Sequence, residues 1–395
     1  MMTVKTGIDT LAIYTSRYVL DLAELAHARG IDPDKFFVGL GQRKMSVPPP
    51  GEDIVTLAAN AAVEALRDVN LQDIEMLLFA TESGIDHSKA AGIYVHDLLG
   101  LPPRCRIVEL KQACYSGTAA LQMALPFLQQ NPDKKILLIA ADIARYGLNT
   151  SGESSQGCGA VAMVLSAHPR LLALEPEYGV VTENVMDFWR PNYLHEALVE
   201  GKYSSKLYLS MLEKSFQQYQ ALSGRSFHDH DYYCYHVPVP RLVEKAHHHL
   251  VKLNDIEHLS AEKSFASLNF SLEYGRQIGN SYTASLYVAL ASLFDLAEES
   301  LTGKRIGFYS YGSGCVAEYF SGVVQSGYEK ALHSHFHQKM LNHRQSLTYA
   351  EYENFYSFRY PEDGSAMKIP HYDTGFFRLA ALEAHKRIYE KVGAT

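Results

Sequence analysis

Short runs of apolar residues alternate along this chain with segments in which apolar residues recur every three to four positions. The alanine-rich segment 52–69 keeps its apolar residues on one side, which predicts an amphipathic helix. The continuous apolar run at residues 76–81 is typical of a strand that is buried on both faces. Similar runs predict further strands at residues 106–110, 136–141, 159–166, 232–236, 305–309 and 315–324. Strands and helices that alternate in this way indicate an α/β protein.

Two local signals subdivide this pattern. The small residues after Cys114 predict a helix that ends near residue 130, and Pro126 should bend its second half because proline cannot donate the helical hydrogen bond. A glycine turn at residues 311–314 separates the last two predicted strands. A soft boundary lies near residues 168–176, so we expect an N-terminal half at 1–170 and a C-terminal half at 171–395.

The tail from residue 333 is rich in His, Tyr and Phe and has little periodicity before residue 374. We expect it to wrap the surface and to end with a helix near residues 377–392. The three adjacent histidines at 247–249 predict a solvated helix face, because neighbouring side chains on a helix point in different directions and cannot all bind one ion.

Composition and charge restrict the class of protein. The 395 residues are 47% hydrophobic and 20% charged, which is typical of a globular chain with two core-forming halves. The net charge of -8 argues against a nucleic-acid partner, since such a surface needs concentrated basic charge. Any anionic ligand must therefore be bound by a local basic cluster.

The cysteines indicate a reducing compartment. There are five of them, without a C-x-x-C pair, so they predict neither a disulfide framework nor a zinc site. The N-terminus lacks the apolar segment of a signal peptide, and no apolar run has the length of a membrane span. We expect a soluble, cytoplasmic protein with no metal and no membrane partner.

Cys114 lies where an apolar strand is followed by a helix of small residues. The first N–H groups of a helix have no intrahelical partner, and the helix dipole adds partial positive charge, so this position should favour the thiolate. The alternative is a small buried apolar residue, which is what most free cysteines are. From this context alone, a nucleophile and a core residue are equally good interpretations.

Two further candidates lie at predicted strand ends. Glu82 follows the apolar run at residues 76–81, and His236 ends the aromatic strand at 232–236. The carboxyl ends of strands are where ligands and catalytic groups collect in α/β sheets. A solvated glutamate and a hydrogen-bonded core histidine are the alternatives, but with Cys114 the two residues would provide a base, an acid and a nucleophile.

Several motifs carry a resemblance to a known family. They are the core Ala-Cys-Tyr-Ser-Gly-Thr around Cys114, the run Asp-Phe-Trp-Arg-Pro at 187–191, His-Val-Pro at 236–238, Gly-Asn-Ser-Tyr-Thr at 279–283 and Ser-Tyr-Gly-Ser-Gly at 310–314. In this combination and order they resemble the bacterial 3-hydroxy-3-methylglutaryl-CoA (HMG-CoA) synthases. The resemblance covers residues 7–328, and the tail resembles the family only loosely.

The resemblance implies a thiolase-like fold, with two similar βαβαβ halves stacked into five αβαβα layers, in a homodimer. It implies an acyltransferase that condenses acetyl-CoA with acetoacetyl-CoA and needs no metal or organic cofactor. Cys114 would take the acetyl group, Glu82 would act as general base, and His236 would hold the acetoacetyl thioester and assist as acid.

The resemblance also assigns binding positions. Arg241, where a lysine is usual, and Lys245 fall on the two basic positions near the coenzyme A phosphates. The positions that line the substrate tunnel in the family correspond to Tyr146, Ser151, Ser155, Ser204, Asn280 and Ser313. Backbone N–H groups at Cys114 and at the glycine turn 312–314 are expected to receive the developing charge of the thioester oxygen.

Three alternatives remain from the sequence. A ketoacyl synthase III-like condensing enzyme would use histidine and asparagine for decarboxylation and would need no carboxylate base, so Glu82 argues against it. A polyketide β-branching HMG synthase would take its acceptor on a carrier protein, and Arg241 and Lys245 do not discriminate because phosphopantetheine is also anionic. A non-catalytic acyl-CoA-binding protein would be expected to lose Cys114 first.

Overall fold

The computed structural model of the protein describes residues 5–254 and 261–392. The strands are β1 Gly7–Tyr14, β2 Tyr18–Asp21, β3 Lys44–Ser46, β4 Ile74–Ala80, β5 Arg106–Leu110, β6 Lys135–Ile143, β7 Cys158–Ser166, β8 Leu172–Thr182, β9 Phe188–Trp189, β10 Leu198–Val199, β11 Tyr232–Tyr235, β12 Arg305–Gly312, β13 Val316–Val324, β14 Gln345–Ser346, β15 Met367–Lys368, β16 Phe377–Glu383 and β17 Lys386–Lys391. The α-helices are α1 Leu22–Arg29, α2 Asp34–Phe37, α3 Ile54–Ala65, α4 Ala91–Leu99, α5 Ser116–Gln130, α6 Gly201–Ser223, α7 Pro240–Leu253, α8 Ala261–Ile278, α9 Ser285–Leu296, α10 Ser334–Asn342 and α11 Tyr349–Ser357.

A mixed sheet in the order β11-β12-β13-β8-β1-β7-β6-β4-β5 organises the molecule. β4 pairs in parallel with β5 and β6, so the carboxyl ends of these three strands lie at one edge. β1 pairs along its length with β7 and at its first two residues with β8, and β8 then pairs with β13. The chain thus passes from the first group of strands to the second at β8, close to the predicted boundary at residue 170.

Helices cover both groups of strands and separate them. α3 packs on β1, β6 and β7, and α6 packs on β8 and β13. Between the two groups, α5 contacts β4 and β6 while α9 contacts β11 and β12. Thr118 of α5 and Tyr287 of α9 share a hydrogen bond of 2.9 Å between their hydroxyl oxygens. This arrangement is the predicted α/β, five-layer thiolase-like fold.

Most predicted elements have the expected type, and two predictions are wrong. The tail does not end in a helix: residues 377–391 form the hairpin β16–β17, joined by Ala384 and His385 in the left-handed region. Leucine and alanine favour a helix locally, but the strand buries Phe377 and Leu379, and β16 packs against α3. Tertiary packing therefore overrides the local preference.

The prediction that histidines 247–249 form a solvated helix face is wrong for His247. Its neighbour His248 is exposed, but His247 is only 2% exposed and lies inside α7's packing face. Its Nδ1 lies 2.9 Å from the Tyr235 hydroxyl, and its Nε2 lies 3.0 Å from the Ser264 carbonyl oxygen. The ring thus joins β11 to α8 as a buried polar contact, which adjacency in sequence does not reveal.

The tail is more than a surface wrap. His337 and Met340 of α10 are buried, and His337 accepts a hydrogen bond from the Ile13 N–H of β1 and contacts Asp295 of α9 at 2.7 Å. Within the described residues, no helix is both long enough and apolar enough to cross a membrane.

Candidate active site

The cysteine loop lies between β5 and α5 at the edge where the parallel strands end. Ala113 has a φ of 43°, in the left-handed region, and α5 begins at Ser116, two residues after Cys114. The β12–β13 turn packs onto this loop so closely that a Cβ on Gly312 would lie 2.6 Å from the Gln112 carbonyl oxygen. Glycine is therefore required there, and the turn supports the loop that carries Cys114.

Cys114 and Glu82 form a pair at the centre of the site. The Cys114 thiol donates a hydrogen bond of 3.1 Å to Oε1 of Glu82. Glu82 follows β4 and Cys114 follows β5, and the two strands are neighbours in parallel register, with Ala80 opposite Leu110. The parallel register of β4 and β5 therefore explains why the two side chains, each at a strand end, meet.

The charge state of Cys114 differs from the sequence-based expectation. Burial, followed by the charge of Glu82, raises the pKa of the Cys114 thiol well above its usual value. Burial and the charge of Asp142 also raise the pKa of Glu82, to about 8. The expectation that the helix terminus favours the thiolate is therefore wrong for this state, because burial beside a carboxylate outweighs the partial charge of a helix that begins two residues later.

Asp142 is a site residue that the sequence interpretation missed. It is fully buried at the end of β6, and its Oδ1 accepts hydrogen bonds from the Thr81 hydroxyl at 2.8 Å and from the Glu82 N–H at 2.9 Å. Its Oδ2 accepts the Thr283 N–H at 3.0 Å. Asp142 thus fixes the backbone of Glu82 and links it to the segment before α9. The rule that identified Glu82, a carboxylate at a strand end, would also have identified Asp142.

Arg190 belongs to the Asp-Phe-Trp-Arg-Pro motif at residues 187–191, and the sequence alone assigns it no individual role. Its guanidinium donates a hydrogen bond to the Glu82 carbonyl oxygen, and its charge acts to lower the pKa of Glu82 against the larger effects of burial and Asp142. The segment around β9 therefore reaches over the end of β4 and supports Glu82 from the other side.

His236 directly follows β11. Burial lowers the pKa of His236 to about 3, so its imidazole is neutral at physiological pH. Its Nδ1 lies 2.6 Å from the Ser285 hydroxyl, which in turn accepts the Val237 N–H at 3.1 Å. From this network we assign the ring proton to Nε2, where it can be donated to a bound oxygen. The Tyr208 hydroxyl bonds the His236 carbonyl oxygen at 2.7 Å.

Tyr146, Ser155 and Asn280 lie together. The Asn280 side-chain amide donates to the Tyr146 hydroxyl at 3.3 Å, and the Asn280 N–H donates to the Ser155 carbonyl oxygen at 3.0 Å. The charges of Cys114 and Glu82 are among the causes that raise the pKa of Tyr146, after burial. These three predicted residues therefore share one wall beside the cysteine–glutamate pair.

Asp187 connects Ser204 to Gly314, the residue that follows Ser313 in the β12–β13 turn. One Asp187 oxygen accepts the Ser204 hydroxyl at 3.2 Å, and the other accepts the Gly314 N–H at 2.9 Å. Since Asp187 already binds the Gly314 N–H, this group is not available to a substrate oxygen, and the N–H groups of Cys114, Gly312 and Ser313 remain of the expected oxyanion donors. Gln112 holds the turn to the cysteine loop by donating to the Ser313 carbonyl oxygen at 3.1 Å.

The remaining predicted residues lie farther out. Ser151 is exposed on the loop between β6 and β7. Arg241 donates to the Val38 carbonyl oxygen and pairs with Glu244 one turn later, while Lys245 projects into solvent.

A cysteine thiol paired with a carboxylate at the ends of parallel strands, together with a neutral histidine directly after β11, is the set of groups that a thiolase-fold acyl-condensing enzyme uses. Comparison with known proteins makes the assignment narrower. The family model described as hydroxymethylglutaryl-coenzyme A synthase N terminal matches residues 3–169. The model described as hydroxymethylglutaryl-coenzyme A synthase C terminal matches residues 177–273 and 256–360. The chain belongs to the hydroxymethylglutaryl-CoA synthase family.

Individual relatives agree with this assignment. The chain is 41% identical over 351 residues to a hydroxymethylglutaryl-CoA synthase of Enterococcus faecalis, and this alignment covers 89% of the chain and 91% of the relative. It is 35% identical over 370 residues to a polyketide biosynthesis 3-hydroxy-3-methylglutaryl-ACP synthase of Bacillus subtilis, which covers 89% of this chain and 87% of the relative.

Solved structures are equally similar. A crystal structure of an HMG-CoA synthase complexed with CoA has a TM-score of 0.94 at 40% identity, covering 98% of this chain and 100% of the other. A curacin biosynthetic HMG synthase in complex with a holo donor-ACP has a TM-score of 0.91 at 32% identity, with the same coverage.

Proposed function

We propose that this protein condenses acetyl-CoA with acetoacetyl-CoA and water to give HMG-CoA and CoA, a step of the mevalonate pathway of isoprenoid synthesis. The observation that carries the proposal is the 3.1 Å contact between the Cys114 thiol and Glu82. The thiol can hold an acetyl group, and the carboxylate lies close enough to remove a proton from the methyl of that acetyl group. The higher identity to the CoA-dependent relative than to the ACP-dependent one favours coenzyme A as the acceptor's carrier.

The reaction follows from these groups in three steps. Cys114 sulfur attacks the acetyl thioester carbon, and the departing CoA sulfur takes up the thiol proton. The Glu82 carboxylate then removes a proton from the acetyl methyl group, and the resulting enolate carbon bonds to the ketone carbon of acetoacetyl-CoA. His236 donates its Nε2 proton to the ketone oxygen and is reprotonated by the proton that Glu82 removed, which also returns Glu82 to its carboxylate. Water finally cleaves the thioester to Cys114, which releases the product carboxylate and restores the thiol.

The remaining predicted residues would bind substrate. Tyr146, Ser155 and Asn280 are proposed to line the acyl tunnel on one side, and Ser204 and Ser313 on the other. Ser151, on the exposed loop, would contact the pantetheine end of the tunnel. Arg241 and Lys245 are proposed to bind coenzyme A phosphate.

The direct test uses the purified protein with acetyl-CoA and two acceptors, acetoacetyl-CoA and acetoacetyl attached to an acyl carrier protein. We expect HMG-CoA, detected by mass, with the CoA acceptor. Product only on the carrier protein would support the polyketide β-branching alternative, and no condensation product with either acceptor would contradict the proposal.

The rate of condensation should increase with pH. Only ionised Glu82 can accept the methyl proton, and burial raises the pKa of Glu82 to about 8. The hydrogen bond from the Cys114 thiol lowers the pKa of Glu82, and acetylation of Cys114 removes this bond. Glu82 in the acetyl-enzyme should therefore have a pKa at or above this value. Below it, the single-turnover rate of preformed acetyl-enzyme with acetoacetyl-CoA should fall about tenfold per pH unit. A rate that is constant from pH 6 to pH 9 would contradict this role.

Lys245→Ala and Arg241→Ala should weaken coenzyme A binding, by about 1–3 kcal/mol for a charge-assisted phosphate contact. We expect the larger increase in KM for Lys245→Ala, because the Arg241 guanidinium is already bound to the Val38 carbonyl oxygen and Glu244. The kcat should change little. An equal effect on KM for a pantetheine thioester without the nucleotide phosphates would argue against phosphate binding.

We also propose that the protein is a cytoplasmic homodimer. β5 is the last strand of the main sheet, and Val108 on β5 and Met123 on α5 are 52% and 66% exposed. An open strand edge beside exposed apolar residues favours a partner chain, and the free cysteines agree with a reducing compartment. Light scattering should give a molecular mass of two chains for the wild type, and Val108→Lys should shift this mass towards that of one chain. A wild-type monomer would contradict the dimer.

A further inference from the structure

The C-terminal helix α11 is connected to Tyr146 by a short relay of buried side chains. The Tyr146 N–H donates to the Gln156 side-chain oxygen at 2.9 Å. The Gln156 amide group donates to the Tyr352 hydroxyl at 2.9 Å, and the Tyr352 hydroxyl donates to Oε1 of Glu153 at 3.2 Å. Glu153, Gln156 and Tyr352 are 3%, 5% and 1% exposed, so water does not compete for these bonds.

Glu153 is the fixed point of this relay. Arg29 at the end of α1 donates to both of its oxygens, at 2.7 Å to Oε1 and 3.1 Å to Oε2. Oε2 also accepts the Asn149 N–H at 2.9 Å. A buried carboxylate with two bonds from one guanidinium and one from the loop backbone has little freedom to move. The loop between β6 and β7 is therefore held at Asn149, Glu153 and Gln156.

Tyr146 is the point where the relay reaches the reacting groups. Its ring packs edge-on against Phe188 and Tyr282, with centroids 6.0 Å away in each case, and its hydroxyl accepts from Asn280. Its backbone, by contrast, is bound to Gln156. A change in the position of Gln156 would therefore shift the Tyr146 side chain against the acyl group on Cys114.

The loop also has apolar contact with α11. Leu148 of the loop packs against the apolar cluster that contains Tyr352 and Tyr356. A small pocket beside this cluster lies between α11 and the ends of β3 and β6, lined by Val47, Ile143, Gly157, Tyr352 and Tyr356 among others. The hydrogen bond of Tyr352 to Glu153 adds direction to this contact.

We propose that Glu153, Gln156 and Tyr352 are positioning residues that hold Tyr146 for the condensation step, so that α11 is part of the active-site architecture. The inference rests on the proposed function, because it assigns Tyr146 to the acyl tunnel. It gives the tail a catalytic purpose, and it predicts that condensation is more sensitive to the relay than acetylation, since acetyl transfer needs only Cys114 and a bound thioester.

The test is Tyr352→Phe, which removes both hydrogen bonds of the relay and keeps the ring. The matched control is Tyr349→Phe on the same helix, because the Tyr349 hydroxyl donates to Glu353 one turn later and takes no part in the relay. We expect Tyr352→Phe to lower the single-turnover condensation rate about tenfold and to leave acetyl-enzyme formation within about twofold of wild type. Tyr349→Phe should match wild type in both steps. Gln156→Met, which breaks the relay from the loop side, should reproduce the effect of Tyr352→Phe.

A double-mutant cycle separates positioning from general destabilisation. If Tyr352 acts through Tyr146, Tyr352→Phe should have no further effect on condensation in a Tyr146→Ala background. The same tenfold loss in both backgrounds, an equal loss of acetylation and condensation, or no loss in Tyr352→Phe would each overturn the inference. Failure of the proposed function would be distinct, since wild type and Tyr349→Phe would then form no HMG-CoA either.

Discussion

Cys114→Ala should form no acetyl-enzyme and should produce HMG-CoA at less than about 10⁻⁴ of the wild-type rate, because no other group can carry the acyl intermediate. The structure strengthens the reason for choosing this thiol. Cys105, Cys158, Cys234 and Cys315 are buried away from Glu82, and burial raises the pKa of each of them. Only the Cys114 thiol donates to a carboxylate that can also serve the next step.

The measurement is mass mapping of the protein after acid quenching with labelled acetyl-CoA. Cys158→Ala is the matched control, since Cys158 is fully buried on β7 and its carbonyl oxygen accepts the Thr15 hydroxyl. It should retain the label and the activity of wild type. Label on any other cysteine, or label that persists in Cys114→Ala, would show that the nucleophile is misassigned.

The parts of the site that the sequence predicted are those fixed by strand direction. Glu82 and Cys114 follow adjacent parallel strands, so the same local rule that found each residue also places them together. Asp142 directly follows the predicted strand at residues 136–141 and obeys the same rule, although the sequence interpretation did not single it out. The α/β class was predictable for a similar reason, since continuous apolar runs permit few arrangements other than central strands, whereas the thiolase-like fold was implied by the family resemblance.

The parts that the sequence did not predict depend on contacts between distant segments. Tyr352 and Glu153 are 199 positions apart, and no periodicity relates them. The end of the tail was mistaken for a helix because its composition favours one, whereas β16 is stabilised by packing against α3. The state of Cys114 was mistaken for a thiolate because a helix terminus is visible in sequence, while burial beside Glu82 is visible only in the fold.

Glu82→Ala should separate the two halves of the reaction. Acetyl transfer should survive, because the leaving CoA sulfur can take the thiol proton and because the charge of Glu82 opposes the Cys114 thiolate rather than stabilising it. Condensation should fall by at least about 10²–10⁴-fold, the usual contribution of a general base. Glu82→Gln should behave in the same way, since it preserves size and removes only the charge. Glu82→Asp should be intermediate, because its carboxylate is one methylene farther from the acetyl methyl.

Acetyl-enzyme and HMG-CoA should be measured in the same preparation of each variant, with circular dichroism to verify folding. The pH dependence provides an independent check: the increase in condensation rate through about pH 8, where Glu82 ionises in wild type, should be absent in Glu82→Gln. Its residual activity should then report only groups other than this carboxylate. Unimpaired condensation, or an equal loss of both steps in a folded variant, would remove Glu82 from the role of base, and the 3.1 Å contact with Cys114 would then have to serve acetyl transfer alone.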